Sequence, residues 1–289
     1  MKTAVMTDEN SGISKERADK LGLFLMPMPF FINGEVKYEN IDMTKKEFYA
    51  ALADGVEVST SQPSPGDVMD MWKSILKDYD ELVYIPMSSG LSESCNSAKI
   101  FAEEFDGRVE VSDNHRISVT MEQSVLDALY LRDQGYTAAE IREKLEEEAY
   151  QASIYITVED LNYLKRGGRV TPAAAAIGTV LNLKPVLEID GGKLDAYAKE
   201  RGMKKARRTM VEAMKKDFAG KLSTYVNEGD LQLCVSYSDV DDETLQGWID
   251  EVSEAFPGYE IMTTPLSLSI GCHIGPGALA IAAAHKLTV

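Results

Sequence analysis

Cysteine is scarce in this sequence, and long apolar runs are absent from it. The three cysteines, Cys95, Cys234 and Cys272, lie far apart in a chain of 289 residues. Because an odd and sparse set does not build a disulfide framework, we expect buried and reduced thiols. No apolar run reaches the length of a membrane span, and Asp8 and Glu9 occur where a signal peptide would be apolar. We therefore expect a cytoplasmic protein.

Positive charge is also in deficit. The chain has 30 basic and 47 acidic residues, which gives a net charge of −17 at pH 7. This charge repels a polyanion at long range, so we expect no nucleic-acid partner, although a local basic patch can still bind a phosphate.

Motifs for nucleotide and metal chemistry are missing as well. No G-x-x-x-x-G-K-[S/T] loop occurs, and neither does a set of protein-kinase motifs. Cys272 and His273 form the only adjacent pair of good metal ligands, and no ligand-spacing pattern surrounds them. We expect no metal site and no cofactor in this chain.

Strand-like and helical patterns alternate through the first half of the chain. Short β-type runs cover residues 3–8, 81–87 and 108–113. Helical periodicity fills the gaps over 44–54, 65–78, 92–105, 118–134 and 137–151. This alternation predicts an α/β fold with a mainly parallel sheet covered by helices. In such sheets the ligand site lies in the loops that follow the strands.

The second half predicts further elements and a second α/β domain. A strand is predicted over 152–160, an alanine-rich helix after Pro172, and a β-hairpin with Gly191 and Gly192 near its turn. The pattern continues with a helix over 203–218, a strand over 231–236, a helix over 242–255 and a strand over 259–263. We place a domain boundary near residue 155, which gives domains of residues 1–155 and 156–289. The glycine-rich last segment can return from the second domain to the first.

One cluster of small hydroxyl side chains lies in "STSQPSPGD", residues 59–67. Ser64 fits the N-cap of the following helix, since Pro65 suits its first position and Asp67 its third. This explanation accounts for Ser64 but not for Thr60 and Ser61, which precede the cap.

A second cluster, "PMSSGLSESCNSA", covers residues 86–98 and joins a predicted strand to a helix that begins near Ser92. A helix N-terminus with free amides is a natural anion site, and two such clusters can converge on one small anion. Hydroxyls and amides without a lysine favour a carboxylate over a free phosphate.

A nucleophilic enzyme is the alternative interpretation of the second cluster. Residues 90–94, "GLSES", come close to the G-x-S-x-G nucleophile elbow but lack its final glycine. His273 or His285 can supply a base. The sequence is therefore also compatible with a second hypothesis, a serine hydrolase or acyl-transfer enzyme that uses Ser92 and His273.

Five stretches taken together resemble one protein family nearly from end to end. In chain order they are "AVMTD", "TSQPSPGD", "SSGLSESCNSA", "LNYLKRGGRV" and "HIGPGALA". They resemble the DegV family, bacterial fatty-acid-binding proteins that serve as the lipid-carrying subunit of fatty acid kinase. The sequence departs from that family at Glu9 and Asn10, where Ser-Thr is usual, and at Glu93, where glycine is common. "SDNHRIS" also replaces a typical Asp-Ser-Lys.

The resemblance implies site residues and a partner. It assigns the fatty-acid carboxylate to four residues, which are Thr60, Ser61, Ser92 and His273. It also implies that Arg169 and Arg201 face the kinase.

The implied fold has two α/β domains, with the acyl chain buried in a tunnel inside one of them. The implied function is to bind a long-chain fatty acid and present it to the catalytic subunit of the kinase, which would use ATP and magnesium to make an acyl-phosphate. The chain itself would be a non-catalytic subunit whose only ligand is the fatty acid. A transient contact with a membrane surface is compatible with this role.

Overall fold

The computed structural model describes residues 1–177 and 183–287. The strands are β1 (Thr3–Asp8), β2 (Phe24–Met26), β3 (Phe30–Ile32), β4 (Glu35–Lys37), β5 (Val58–Thr60), β6 (Glu81–Ile85), β7 (Val109–Val111), β8 (Ala152–Thr157), β9 (Leu183–Ile189), β10 (Asp195–Arg201), β11 (Leu231–Tyr237), β12 (Ile261–Pro265) and β13 (Leu279–His285). The α-helices are α1 (Lys15–Leu21), α2 (Lys45–Ala53), α3 (Pro65–Ile75), α4 (Ser94–Ala102), α5 (Ser118–Asp133), α6 (Ala138–Glu147), α7 (Asn162–Gly167), α8 (Pro172–Ala175), α9 (Met203–Ala219), α10 (Ser223–Glu228), α11 (Asp242–Ala255) and α12 (Leu268–Ile274). Short 3-10 turns cover Glu9–Ser11 and Glu103–Phe105. None of the described helices combines the length and the apolar character needed to cross a bilayer.

The first sheet is parallel and covered on both faces, as the sequence predicts. Its strand order is β2-β1-β6-β7, and every neighbouring pair is parallel. Alternate residues of a strand point to opposite faces, so Val5 and Val83 pack against α1, α5 and α6. Met6 and Leu82 pack on the other face against α3 and α4. A parallel sheet with both faces buried brings the loops after its strands to one open edge.

A small antiparallel sheet, with the order β4-β3-β5, was not predicted. Each of its strands has three residues, which is too short for an alternating pattern to stand out. The sequence did hold a signal in Asn33 and Gly34, both at positive φ in the turn between β3 and β4, because Asn-Gly is typical of two-residue hairpin turns. The sheet packs on α12 through Phe30 and Leu268. It therefore fixes the end of β5, where Thr60 lies, against α12.

The second sheet is mixed, with the order β10-β9-β8-β13-β11-β12. Only β11 and β12 are parallel, and the predicted hairpin is confirmed as β9 and β10. One face packs against α9 and α11 through Met210, Met214 and Trp248. The opposite face carries Ile156 and Ala280, which are paired in register on β8 and β13.

The last segment of the chain contacts both halves of the molecule. β13 lies in the middle of the second sheet, between β8 and β11. Just before it, Ser267 at the start of α12 hydrogen bonds to Asn10 of the first half, with 3.1 Å between Ser267 Oγ and Asn10 Oδ1. The division at residue 155 stays a prediction. The first sheet uses residues 3–111 and the second uses residues 152–285, so β8 straddles the proposed boundary.

The cysteines and the alanine-rich segment complete the comparison with the sequence. All three cysteines are free and buried. Burial raises the pKa of Cys95 and of Cys272 to about 12, which keeps both as thiols. Of the helix predicted after Pro172, the structure shows Pro172–Ala175, and residues 178–182 lie outside the described residues.

Candidate functional site

A cavity of about 330 Å³ is lined by residues from both halves of the chain. Asn10, Met28 and Met87 line it from the loops after β1, β2 and β6, so the carboxyl edge of the first sheet forms one wall. The opposite wall is the free face of the second sheet with one side of α12, and it is mainly aliphatic. Its aliphatic residues include Ile154, Ile156, Ile189, Ile270, Ile274 and Ala280. A volume of this size lies at the lower end of the range of small-molecule pockets.

Thr60 and His273 meet at the wall of this cavity. Thr60 Oγ1 is 2.8 Å from His273 Nε2, although the two residues are 213 positions apart in the chain. β5 and α12 hold them there, and both side chains line the cavity. Burial lowers the pKa of His273 to about 4, and the nearby Arg169 guanidinium acts in the same direction. The imidazole is therefore neutral at neutral pH.

The environment of His273 also decides which ring nitrogen carries the proton. Nδ1 is buried and has no hydrogen-bond partner. It lies against the backbone of Gly167, where an added Cβ would be only 2.2 Å away. Because a buried N–H without an acceptor is rarer than an unpaired acceptor, we assign the proton to Nε2. His273 then donates to Thr60 Oγ1, and the hydroxyl proton of Thr60 is free to donate to a ligand.

The hydroxyls of Ser92 and Ser61 differ in their availability. Ser92 lines the cavity in the turn before α4, and its Oγ accepts from the amide of Ser94 at 3.2 Å. Its hydroxyl proton is thus free, like that of Thr60. Ser61 is exposed at the rim and donates its proton to the carbonyl oxygen of Gln62 at 3.0 Å. Ser61 must rotate before it can donate to a ligand, and its role stays a prediction.

The two arginines do not lie together. Arg169 is half-buried and lines the cavity, where its guanidinium donates to the carbonyl oxygens of Gly167 at 2.6 Å and of Leu91 at 3.4 Å. Arg201 is exposed at the far end of β10. The amide of Leu194 donates to the carbonyl of Arg169, so Arg169 lies beside the start of β10. Arg201 is the last residue of the same strand. The two arginines are therefore separated by the length of β10, roughly 20 Å. The predicted contact of both with a kinase stays a prediction.

The alternative enzyme would need Ser92 and His273 to act as nucleophile and base. His273 Nε2 is hydrogen bonded to Thr60, whereas Ser92 Oγ is bonded to the amide of Ser94. The second candidate base, His285, bonds to Glu148 at 2.6 Å and is not among the cavity residues. A nucleophile paired with its base, as nucleophilic catalysis requires, is therefore not assembled at Ser92.

Part of the polar lining comes from residues that were not predicted from the sequence. Asn10, Ser118, Ser236 and Ser269 all line the cavity. Asn10 was detectable, because it follows β1 directly and loops after parallel strands carry ligand sites. No local signal marked the three serines, which come together only through the packing of α5, β11 and α12.

Known proteins that resemble this chain share both its sequence and its fold. The model of the family described as "Uncharacterised protein, DegV family" matches residues 2–286. A DegV domain-containing protein of Deinococcus radiodurans is 32% identical over 217 residues, which are 75% of this chain and 77% of that protein.

Two solved structures resemble the whole molecule. One is a DegV family protein from Thermus thermophilus, described as fatty-acid binding, with a TM-score of 0.88, 29% identity and coverage of 99% of this chain and 100% of that one. The other is DegV of Bacillus subtilis, described as a fatty acid binding protein, with a TM-score of 0.85, 28% identity and the same coverage of 99% and 100%. The match over nearly all of the sequence, together with these folds, shows that the chain belongs to the DegV family.

Proposed function

We propose that the protein binds a long-chain fatty acid and presents its carboxyl group to a partner kinase. The observation that carries this proposal is the lining of the cavity, which combines the free hydroxyl donors of Thr60 and Ser92 with mainly aliphatic walls. Thr60 and Ser92 hold the carboxylate, with Ser61 at the rim and His273 behind Thr60. The acyl chain lies along the second sheet and α12. The fatty-acid binding described for the two similar structures supports this proposal.

The acyl chain and the carboxylate of the ligand contribute differently to the free energy of binding. Burial of each methylene stabilises the complex by about 0.8 kcal/mol. About fourteen methylenes therefore give a gross gain of roughly 11 kcal/mol. The loss of freedom on binding reduces this gain. A hydrogen bond to a charged carboxylate contributes about 1.5–3 kcal/mol. The chain therefore supplies most of the affinity, while the hydroxyls place the carboxylate. Arg169, on the same part of the wall, favours the ionised acid.

Neutral hydroxyls suit a carboxylate that must still react. They hold the group through single hydrogen bonds, whereas a lysine at the same place would hold the anion more tightly and mask the oxygen that attacks a phosphoryl group. The chain has no nucleotide-binding loop of its own, so the partner supplies ATP and magnesium and makes the acyl-phosphate. Arg201 is the better placed of the two arginines to contact that partner, because it is exposed.

Organic extraction and mass spectrometry of the purified protein test the ligand directly. We expect one long-chain fatty acid per protein molecule. Protein that is shown to be folded and delipidated must then rebind palmitate or stearate. Failure to release any fatty acid, together with failure to rebind one, would refute the proposed function.

A further inference from the structure

A single acidic residue, Glu93, occurs among the described residues that line the cavity. It directly follows Ser92 and is exposed to solvent, so it lies at the rim rather than deep in the cavity. Its Oε2 accepts a hydrogen bond from Asn96 Nδ2 at 2.9 Å. Because this partner is neutral, the hydrogen bond leaves the negative charge of Glu93 in place beside the Ser92 hydroxyl.

The charges of the cavity lining cancel. Among the described lining residues, Glu93 and Arg169 are the charged side chains, and the low pKa of His273 keeps its ring neutral. The guanidinium of Arg169 already donates to the carbonyls of Gly167 and Leu91. A lining without net charge does little to offset the hydration that an anion loses on entry, and this cost rises with the charge of the anion. A singly charged head group is therefore favoured over a doubly charged one.

Glu93 is close enough to act on the head group without touching it. Consecutive Cα atoms are about 3.8 Å apart, so the Glu93 carboxylate lies on the order of 10 Å from an anion bound at Ser92. At such a distance in a partly exposed site, Coulomb repulsion changes a dissociation constant by about twofold to tenfold for each unit of ligand charge. The effect depends on charge alone, and no direct contact between Glu93 and the ligand is needed.

We propose that Glu93 restricts the site to head groups with a single negative charge. The site accepts the carboxylate of a fatty acid and disfavours an alkyl or acyl phosphate, which carries close to two negative charges at pH 7. The acyl-phosphate product is then released more readily than the acid from which it is made. This inference rests on the proposed function, because Glu93 acts on the head group that Thr60 and Ser92 hold.

Binding of hexadecyl phosphate and palmitate at two pH values tests this role of Glu93. The second ionisation of a phosphate monoester occurs near pH 6, so hexadecyl phosphate gains a charge between about pH 5.5 and about pH 8. For delipidated wild-type protein at low ionic strength, the dissociation constant of hexadecyl phosphate divided by that of palmitate should rise on the order of fivefold over this interval. In Glu93→Gln, which keeps the oxygen that accepts from Asn96, the ratio should stay nearly constant.

Glu104→Gln is the matched control for the change in net charge. Glu104 is exposed in the 3-10 turn that follows α4, and it is not among the described cavity residues. Its substitution should leave the pH-dependent rise of the ratio as in the wild type. Added salt should shrink the difference between Glu93→Gln and the wild type, because ions screen an exposed charge.

The outcomes distinguish this inference from the function beneath it. If palmitate binds and the ratio does not rise in the wild type, or rises equally in Glu93→Gln, the inference is wrong and the proposed function stands. If hexadecyl phosphate binds neither protein even at the lower pH, where it carries one charge, size rather than charge excludes it and the inference is again wrong. If folded wild-type protein does not bind palmitate, the proposed function fails as well.

Discussion

At the scale of single residues, the Thr60–His273 pair shows how a neutral donor is prepared for an anion. The low pKa of His273 keeps the imidazole uncharged, so it bonds to the threonine hydroxyl without adding a positive charge to the cavity wall. A charged imidazolium at this place would form an ion pair with the ligand itself. On the proposed function, the pair would position the carboxylate and leave most of the affinity to the acyl chain.

Thr60→Val with Ser92→Ala tests this division of roles. Both hydroxyl donors are lost, whereas the aliphatic walls remain, so we expect bound fatty acid to be largely retained. Phosphorylation by the partner kinase should fall by about tenfold or more, because about 1.5–3 kcal/mol of positioning is lost per hydrogen bond. The measurements are lipid content by mass spectrometry and the rate of acyl-phosphate formation.

Thr263→Val is a suitable control for the loss of a threonine hydroxyl, since Thr263 is exposed on β12 and is not among the cavity residues. It should match the wild type in both measurements. Wild-type phosphorylation by the double variant would show that Thr60 and Ser92 do not anchor the carboxylate.

At the scale of elements, the packing of α7 on α12 holds the imidazole in place. Gly167 is the last residue of α7, and the chain then turns at Gly168, which has a φ of 68°. The absence of a side chain at Gly167 lets the His273 ring lie directly against the α7 backbone. Glycine is required at position 167 because the His273 ring contacts the backbone there. At position 168 it is required because the backbone is left-handed.

Gly167→Ala should therefore disturb the site through one methyl group. The added Cβ would overlap His273 Nδ1 and force the ring or α12 to move, which weakens the bond to Thr60. We expect a loss of about 1–3 kcal/mol in the free energy of unfolding and a lower lipid content. Denaturant unfolding and mass spectrometry measure the two effects.

Gly247→Ala is the matched control for Gly167→Ala, and we expect it to stabilise the protein. Gly247 lies within α11, and its Cβ would meet no atom within 4 Å. Alanine should stabilise that helix by up to about 1 kcal/mol without changing the bound lipid. Equal effects of the two substitutions would contradict the close contact between Gly167 and His273.

The elements also show what a single sequence can predict. Three strands of the parallel sheet (β1, β6 and β7), the hairpin of β9 and β10, and the cap at Ser64 depend on local patterns and were predictable. The fourth strand, β2, has only three residues and was not predicted. The small sheet of β3, β4 and β5 escaped detection because three-residue strands carry too little pattern. That Thr60 and Ser92 line a ligand-sized cavity was predictable from the loops that carry them. The bond between Thr60 and His273 and the close contact at Gly167 depend on tertiary packing, which spacing does not encode.

At the scale of the whole molecule, charge limits the surface that a partner can use. The chain is strongly acidic, with a net charge of −17, so an acidic partner surface would meet it at local basic positions such as Arg201 and the neighbouring exposed Lys204, Lys205 and Arg208. Arg201 has this character at the outer end of β10, away from the cavity.

Arg201→Glu should slow phosphorylation by the kinase and leave the bound lipid unchanged. The reason is electrostatic, so the difference from the wild type should shrink as ionic strength rises. Lys77→Glu, at another exposed position, makes the same change in net charge and should have little effect. Loss of the lipid from Arg201→Glu would instead assign this arginine to folding or to the cavity.

The position of β13 has a consequence for the order in which the cavity forms. This strand supplies Ala280 to the cavity wall and separates β8 from β11, so the second sheet is complete only once residues 279–285 are in place. Until then the cavity lacks part of one wall. On the proposed function, the fatty acid is therefore taken up only after β13 has entered the sheet.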